Sequence, residues 1–192
     1  MHAAARERLL DAAVRCVARA GVMGANIAAV AAEAGVSRPT VYRYFADHQA
    51  LVEATLFHAG RDLAERLGAQ LRRFAAPAEM AVEAVRFVLR EIPREPVLGA
   101  MWGAAALDAS ALGSITRRPV LEWSRAALDD LVRAARWSDE EAGEMLEVML
   151  RMLLSLLAAP EPRRSDAALR AFLMRRLVPA LGLDIPGRSS SR

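Results

Sequence analysis

Lysine is absent from this chain: all 26 basic residues are arginine, set against 23 acids. A GC-rich genome and a polyanion-binding role would each produce that bias. Cysteine occurs once, as Cys16, with apolar Val14 and Val17 close by in sequence. No disulfide framework can form within the chain, which suits a reducing cytoplasm. With no histidine near it in sequence, Cys16 reads as a buried structural residue rather than a catalytic thiol. The three histidines, His2, His48 and His58, make no metal-ligand cluster. Paired carboxylates in a catalytic setting and a phosphate-cradling glycine loop are missing too, so neither an enzyme nor a metal or other cofactor is expected.

Long uninterrupted apolar runs are also lacking. The most apolar stretch, Met145 to Ala159, contains Glu147 and Arg151 and fails as a membrane span. The opening M-H-A-A-A-R-E-R-L-L carries charge where a signal peptide needs an apolar core. A cytoplasmic protein with no membrane partner is the expectation. Glycine (11) and proline (9) are modest in 192 residues, which excludes wholesale disorder and leaves enough chain for a buried core.

What is present is organised around Asn26 to Phe45. Ile27, Val30, Ala31 and Ala34 recur at helical spacing. Asn26 can cap that helix at its start, and Gly35 can end it in the left-handed conformation. Val36 is placed to plug the corner, Ser37 to cap a second helix, and Arg38-Pro39 to fill its first turn. In the second helix, about Arg38 to Tyr44, Val41 and Phe45 lie inward. Arg38, Thr40, Tyr42, Arg43 and Tyr44 spread over the outer face. These side chains donate hydrogen bonds without adding negative charge, as phosphates and base edges require. A helical hairpin with a solvated face would share the glycine corner, but it has no need of two tyrosines beside two arginines. A helix–turn–helix of this kind places its second helix in a DNA major groove.

Residues 1–46 hold six arginines (Arg6, Arg8, Arg15, Arg19, Arg38, Arg43) against Glu7, Asp11 and Glu33, an excess of 6 − 3 = +3 equal to that of the whole chain. A basic head on a neutral body fits a polyanion-binding domain joined to something else. Ahead of the hairpin, Leu9, Leu10, Ala13, Val14, Val17 and Ala18 give the Ala3–Ala20 helix one apolar face, closed by Gly21 and Gly24. Two short helices need that third one to bury a core.

Asp47 caps a connecting helix from His48 to Phe74, its apolar series being Leu51, Val52, Leu56, Leu63, Leu67 and Leu71. The N-terminus of that helix, beside the second helix of the hairpin, is a ready phosphate site. Beyond Pro77 every segment reads as helix. Met80, Val85, Val88 and Leu89 mark one to Glu91, and a short one follows from Val97 to Ala109. A glycine- and serine-bearing stretch, Ser110 to Thr116, precedes a helix to Arg136. Ser138 with Glu141 forms a capping box opening a helix to Ala158, and Ser165 caps the last.

The Met145–Leu157 segment is apolar on more sides than one core covers. Paired with its copy across a two-fold axis, it and the last helix would make a four-helix dimer interface through Leu146, Leu153, Leu157, Phe172 and Leu173. The alternative is a helical protein-interaction adaptor without sequence-specific DNA binding, using that surface for another protein. Sedimentation separates the two, because an adaptor stays monomeric when pure.

The run Leu9/Leu10…Ala13, Gly21, Val30-Ala31, Ala34-Gly35-Val36-Ser37, Thr40-Val41-Tyr42, Tyr44-Phe45 and Leu51 resembles the TetR family of bacterial transcriptional regulators. That resemblance covers the first fifty-odd residues. It implies an all-α chain of about nine helices. Residues 1–47 would be a three-helix helix–turn–helix DNA-binding domain, 48–186 a ligand-binding and dimerisation domain entered by the 48–74 connecting helix, and 187–192 a disordered tail. It further implies a homodimer bound to a palindromic operator in double-stranded DNA and released by a small-molecule effector. By position Asn26, Arg38, Thr40, Tyr42, Arg43 and Tyr44 would contact DNA, with His48 standing where the family usually has a phosphate-holding lysine. Asn26 replaces the usual threonine cap. A Trp/Met-rich set, Phe87, Met101, Trp102, Trp123, Met145, Met149 and Met152, is the candidate lining for an apolar or aromatic effector. His58 reads as a satisfied surface group.

Overall fold

The computed structural model describes residues 2–95, 97–100, 124–158, 162 and 164–185, and no strand occurs among them. They form two compact units. One gathers the residues through Leu63 with the segment that begins at Ile92; the other gathers Ala64–Glu91 with the described residues from Ser124 onward.

Helix α1 (His2–Gly24) buries Leu9, Leu10, Ala13, Cys16 and Val17, while Ala18 of the expected face is exposed. At Gly21 the backbone turns to φ 70°, ψ 179°, a region only glycine occupies comfortably. Regular helix therefore stops at Ala20 and one further turn follows. Helix α2 (Ile27–Ala34) starts where Asn26 Oδ1 accepts the Ala29 amide at 3.0 Å.

Gly35 ends α2 at φ 67°, donating to the Ala32 carbonyl, while the Val36 amide donates to Ala31 at 2.9 Å. This is a Schellman closure. It corrects one expectation: the Val36 side chain does not plug the corner but stands 37% exposed, and its backbone makes the turn.

Helix α3 (Arg38–Tyr42) is capped by Ser37, and helix α4 (His48–Leu71) by Asp47, whose Oδ1 accepts the Ala50 amide at 2.8 Å. Val41, Phe45 and Leu51 complete the core laid down by α1 and α2, and Val97 joins it. The end of α4 falls three residues short of Phe74. There Arg73 and Phe74 donate to carbonyls three residues back rather than four, the tightening common at helix ends.

In the second unit, α5 (Pro77–Glu91) is enclosed by three helices: α6 (Asp129–Ala135), α7 (Asp139–Ala158) and α8 (Asp166–Ala180). It buries Ala78, Met80 to Val85 and Phe87, whereas Val88 and Leu89 are half-buried. Glu83 lies inside that set at 5% exposure. A carboxylate so placed costs several kcal/mol unless it is paired. Arg86 Nη1 donates to it at 2.7 Å and Gln70 Nε2 at 3.2 Å; the same guanidinium reaches Asp166 at the head of α8. That shared charge ties α4 and α5 to α8.

Before α6, residues 124–127 are helical, and Leu128 interrupts the expected continuous helix at φ −110°, ψ 19°. Arg136 closes α6 in the left-handed conformation, φ 57°, where glycine is the usual occupant. The capping box at α7 forms in both directions: the Ser138 amide donates to Glu141 Oε2 at 2.8 Å and the Glu141 amide to Ser138 Oγ at 3.2 Å. Ser165 Oγ accepts the Ala168 amide at the start of α8. The 187–192 tail, the 101–109 part of the expected short helix and the Ser110–Thr116 stretch lie outside the described residues.

Candidate nucleic-acid interface

Helix α3 is short, and its position is fixed from both ends. Ser37 Oγ accepts the Thr40 amide and stands 2.9 Å from the Thr40 hydroxyl, while Val41 and Phe45 are buried beneath. What faces outward is therefore held on a rigid base. Tyr42 is 54% exposed, an unusual placement for so large a ring. Arg38 and Arg43 are exposed beside it, and neither forms an ion pair with a carboxylate among the described residues. The Arg43 guanidinium lies 5.6 Å from the half-buried Tyr44 ring centroid. Stacking occupies its flat face and leaves the donor edge open. Two unspent guanidiniums and an exposed phenol are what a phosphate-and-base surface requires.

Asn26 is exposed, but its side-chain oxygen is committed to the cap of α2. Thr40 is half-buried against Ser37. His48 is half-buried at the start of α4, and its Nε2 is buried with no hydrogen-bond partner among the described residues. His58, read in sequence as a satisfied surface group, instead ties α4 to α1: its Nε2 lies 2.7 Å from Asp11 Oδ1, with Nδ1 buried and without a partner among the described residues.

The basic surplus of the head is less uniform than its count. Arg15 Nε and Arg19 Nη2 both pair with Glu33, at 2.7 and 2.9 Å. In sequence Glu33 is one acid among three in the head; folded, it pairs with two arginines at once and pins α2 to α1. The signal was available in the four-residue spacing of Arg15 and Arg19, but their shared partner lies on another helix. Hydrogen bonds from Arg15 first and Arg19 second hold the Glu33 carboxyl below its ordinary value of 4.5. A depressed folded-state pKa stabilises the fold above the unfolded value and loses that contribution as pH falls through the folded one. Glu33→Gln should therefore lose less stability than the parent between neutral pH and about pH 3, read from urea midpoints at each pH. Equal losses would show that the pair contributes nothing.

Of the candidate ligand set, Phe87 on α5 and Met149 on α7 are buried, and these helices pack together; Met145 and Met152 are half-buried. The Arg90 guanidinium lies 5.5 Å from the Phe87 ring centroid. Met101, Trp102 and Trp123 lie outside the described residues. The candidate dimer set divides. Leu146, Leu153 and Leu173 are 1%, 7% and 0% exposed within the single chain, so their side chains belong to its own core and have no area left for a partner. This corrects the expectation for those three, since one stripe of α7 (Ala142, Leu146, Met149, Leu153) faces inward. Leu157 and Phe172 are half-buried, with Arg164 lying 4.3 Å from the Phe172 ring centroid.

Among the described residues no group of three or more His, Cys, Asp or Glu is arranged to hold a metal, and no helix is long and apolar enough to cross a membrane.

Comparison with known proteins bears on the same residues. The family model described as "Bacterial regulatory proteins, tetR family" matches residues 9–55. The HTH-type transcriptional regulator BetI of Brucella anthropi is 34% identical over 94 residues, 48% of each chain. BetI of Burkholderia mallei is 38% identical over 84 residues, 44% of this chain and 42% of its own. The match thus spans about half the length of these curated relatives, whose names describe transcriptional regulators. Among solved structures, the multidrug binding protein EbrR complexed with imidazole superposes with a TM-score of 0.63 at 26% identity, over 97% of this chain and 98% of its own. The TetR family repressor AlkX from Dietzia gives 0.66 at 21% identity over 92% and 95%, a likeness of fold. A family signature over residues 9–55 and a likeness of all-helical build along the rest point the same way: the head of this chain matches the tetR family of bacterial regulatory proteins, and the described fold as a whole resembles EbrR and AlkX.

Proposed function

We propose that this protein is a sequence-specific DNA-binding transcriptional regulator that works as a homodimeric repressor released by a small molecule. The observation that carries the reading is the outward face of α3, where exposed Tyr42 stands between Arg38 and Arg43, both free of carboxylate partners among the described residues. Asn26, Thr40, Tyr44 and His48 complete the proposed contact set around it. Domain roles follow the same division: residues 1–47 for DNA, 48–186 for effector and partner.

Two copies are needed because one short helix reads only a half-site, and a palindrome read by a symmetric dimer doubles the contact. The remaining apolar surface of α7 and α8, including Leu157 and Phe172, is the proposed seam. EbrR, whose structures hold ethidium and imidazole, supports an aromatic or apolar effector; Phe87, Met145, Met149 and Met152 are the described side chains proposed to meet it, with Met101, Trp102 and Trp123. An effector lowers DNA affinity only by its differential affinity for the DNA-free conformation.

The test is gel retardation of the intergenic duplex beside the protein's own gene, searched for an inverted repeat, against an unrelated duplex of equal length. Selective retardation that weakens steeply with salt, by about 0.9 in log K per log salt for each phosphate contact, is expected. Absence of any retardation at low ionic strength would overturn the proposal.

A further inference from the structure

Helix α1 presents its buried residues at Leu9, Leu10, Ala13, Cys16 and Val17. Continued one turn toward the N-terminus, that stripe falls on position 6, where an apolar residue would be in period. The chain has Arg6 there, exposed, with its guanidinium carbon 5.3 Å from the centroid of the Phe45 ring. Phe45 is itself buried and comes three residues after Tyr42. The stripe thus ends in a cation seated at the C-terminal end of the α3 segment, in the same turn of chain where Arg43 lies against Tyr44.

The acids around this spot are already engaged. Glu7, next to Arg6, meets Arg61 at 3.4 Å, and Asp47 is occupied as the cap of α4. Arg6 forms no ion pair among the described residues. A guanidinium stacked on a ring keeps its five in-plane N–H donors available and loses little further freedom when an anion binds their edge. Arg15 and Arg19 on the same helix differ, since both are already paired with Glu33.

We infer that Arg6 is a DNA-phosphate contact of this protein, held in place by the Phe45 ring beside the recognition surface. The inference rests on the DNA-binding reading above. It lies outside the 9–55 segment matched by the family model. A phosphate contact adds affinity and salt dependence but no sequence preference.

Packing on Phe45 and binding of phosphate can be separated by substitution. Arg6→Leu keeps an apolar side chain over the ring and removes the charge; Arg6→Lys keeps the charge without the planar fork; Arg15→Gln removes an arginine already paired. Each is titrated, as the full chain, against the labelled intergenic duplex and an unrelated duplex at salt concentrations from about 50 to 200 mM, with thermal midpoints in parallel. Arg6→Leu should hold its midpoint and bind both duplexes more weakly, with a salt slope shallower by about 0.9. Between those salt limits its affinity should fall about three- to fourfold less than the parent's, which is that slope difference taken over a fourfold change in salt. Arg6→Lys should lie between the two, and Arg15→Gln should match the parent. An unchanged slope in Arg6→Leu, with Tyr42→Ala still weakening binding, would show that Arg6 only packs and would leave the DNA reading intact. If the parent itself retains neither duplex at the lowest salt, both fall together.

Discussion

Leu153→Asp should unfold the chain, whereas Leu157→Asp, four residues on along the same helix, should leave it folded and weaken its association. The two leucines look alike in sequence, both within the apolar run of α7. In the fold Leu153 joins the inward stripe of Ala142, Leu146 and Met149, at 7% exposure, while Leu157 is half-buried. Truncating a buried leucine costs about 2–5 kcal/mol through lost transfer energy and the cavity left behind. An unpaired carboxylate in that cavity adds several kcal/mol more, unless it takes up a proton. A domain has about 5–15 kcal/mol of stability in all, so the sum is disabling. At Leu157 the carboxylate can reach water, and the expected cost to the fold is about 1 kcal/mol or less. Its effect should fall on self-association, where a charge opposing apolar surface in both copies is counted twice by the symmetry. Far-ultraviolet circular dichroism and urea midpoints read the first outcome, and sedimentation equilibrium the second. A folded Leu153→Asp would contradict the assignment of that stripe to the core. A Leu157→Asp protein with the parent's dimer dissociation constant would move the seam off this part of α7.

The contrast between those leucines shows where sequence reading succeeds and where it stops. Caps are legible because they are local chemistry: Asn26, Ser37, Asp47, Ser138 with Glu141, and Ser165 each meet an amide within three residues. Gly35 is legible for the same reason, since a left-handed residue at a helix end is a property of one position. The apolar period of α7 is equally visible, but period gives a direction around the helix and not the identity of what lies there. With an apolar arc this wide, only the packing of α7 against α5 decides which leucines are spent. Glu83 is the clearest failure of pattern reading. An acid in the middle of Met80–Val85 reads as an exposed position, and it is buried because Arg86 and Gln70 converge on it. Glu33 is similar, its meaning set by two arginines on another helix. At the proposed DNA face the residue types and the Asn26 cap were readable, while the commitment of the Thr40 hydroxyl to Ser37 was not.

That commitment ranks the contacts. Tyr42 and Arg43 make no contribution to the core, so Tyr42→Ala and Arg43→Ala should each keep the parent's thermal midpoint and dimer constant. Val41, between Thr40 and Tyr42, is fully buried and sets the contrast: truncating it would damage the fold and leave binding data uninterpretable. Removing a side chain that contacts DNA costs about 1–3 kcal/mol, a loss of about fivefold to more than a hundredfold in affinity. How the loss is distributed tells the two roles apart. If Tyr42 meets a base edge or thymine methyl, its removal should weaken the intergenic duplex far more than the unrelated one, narrowing the specificity ratio. Arg43, with its donor edge open above the Tyr44 ring, is placed for phosphate; its removal should weaken both duplexes alike and flatten the salt slope by about 0.9. Wild-type affinity in both variants would remove α3 from the proposed interface, and loss of dimerisation in either would contradict the proposed division of labour between a DNA-reading head and an associating trunk.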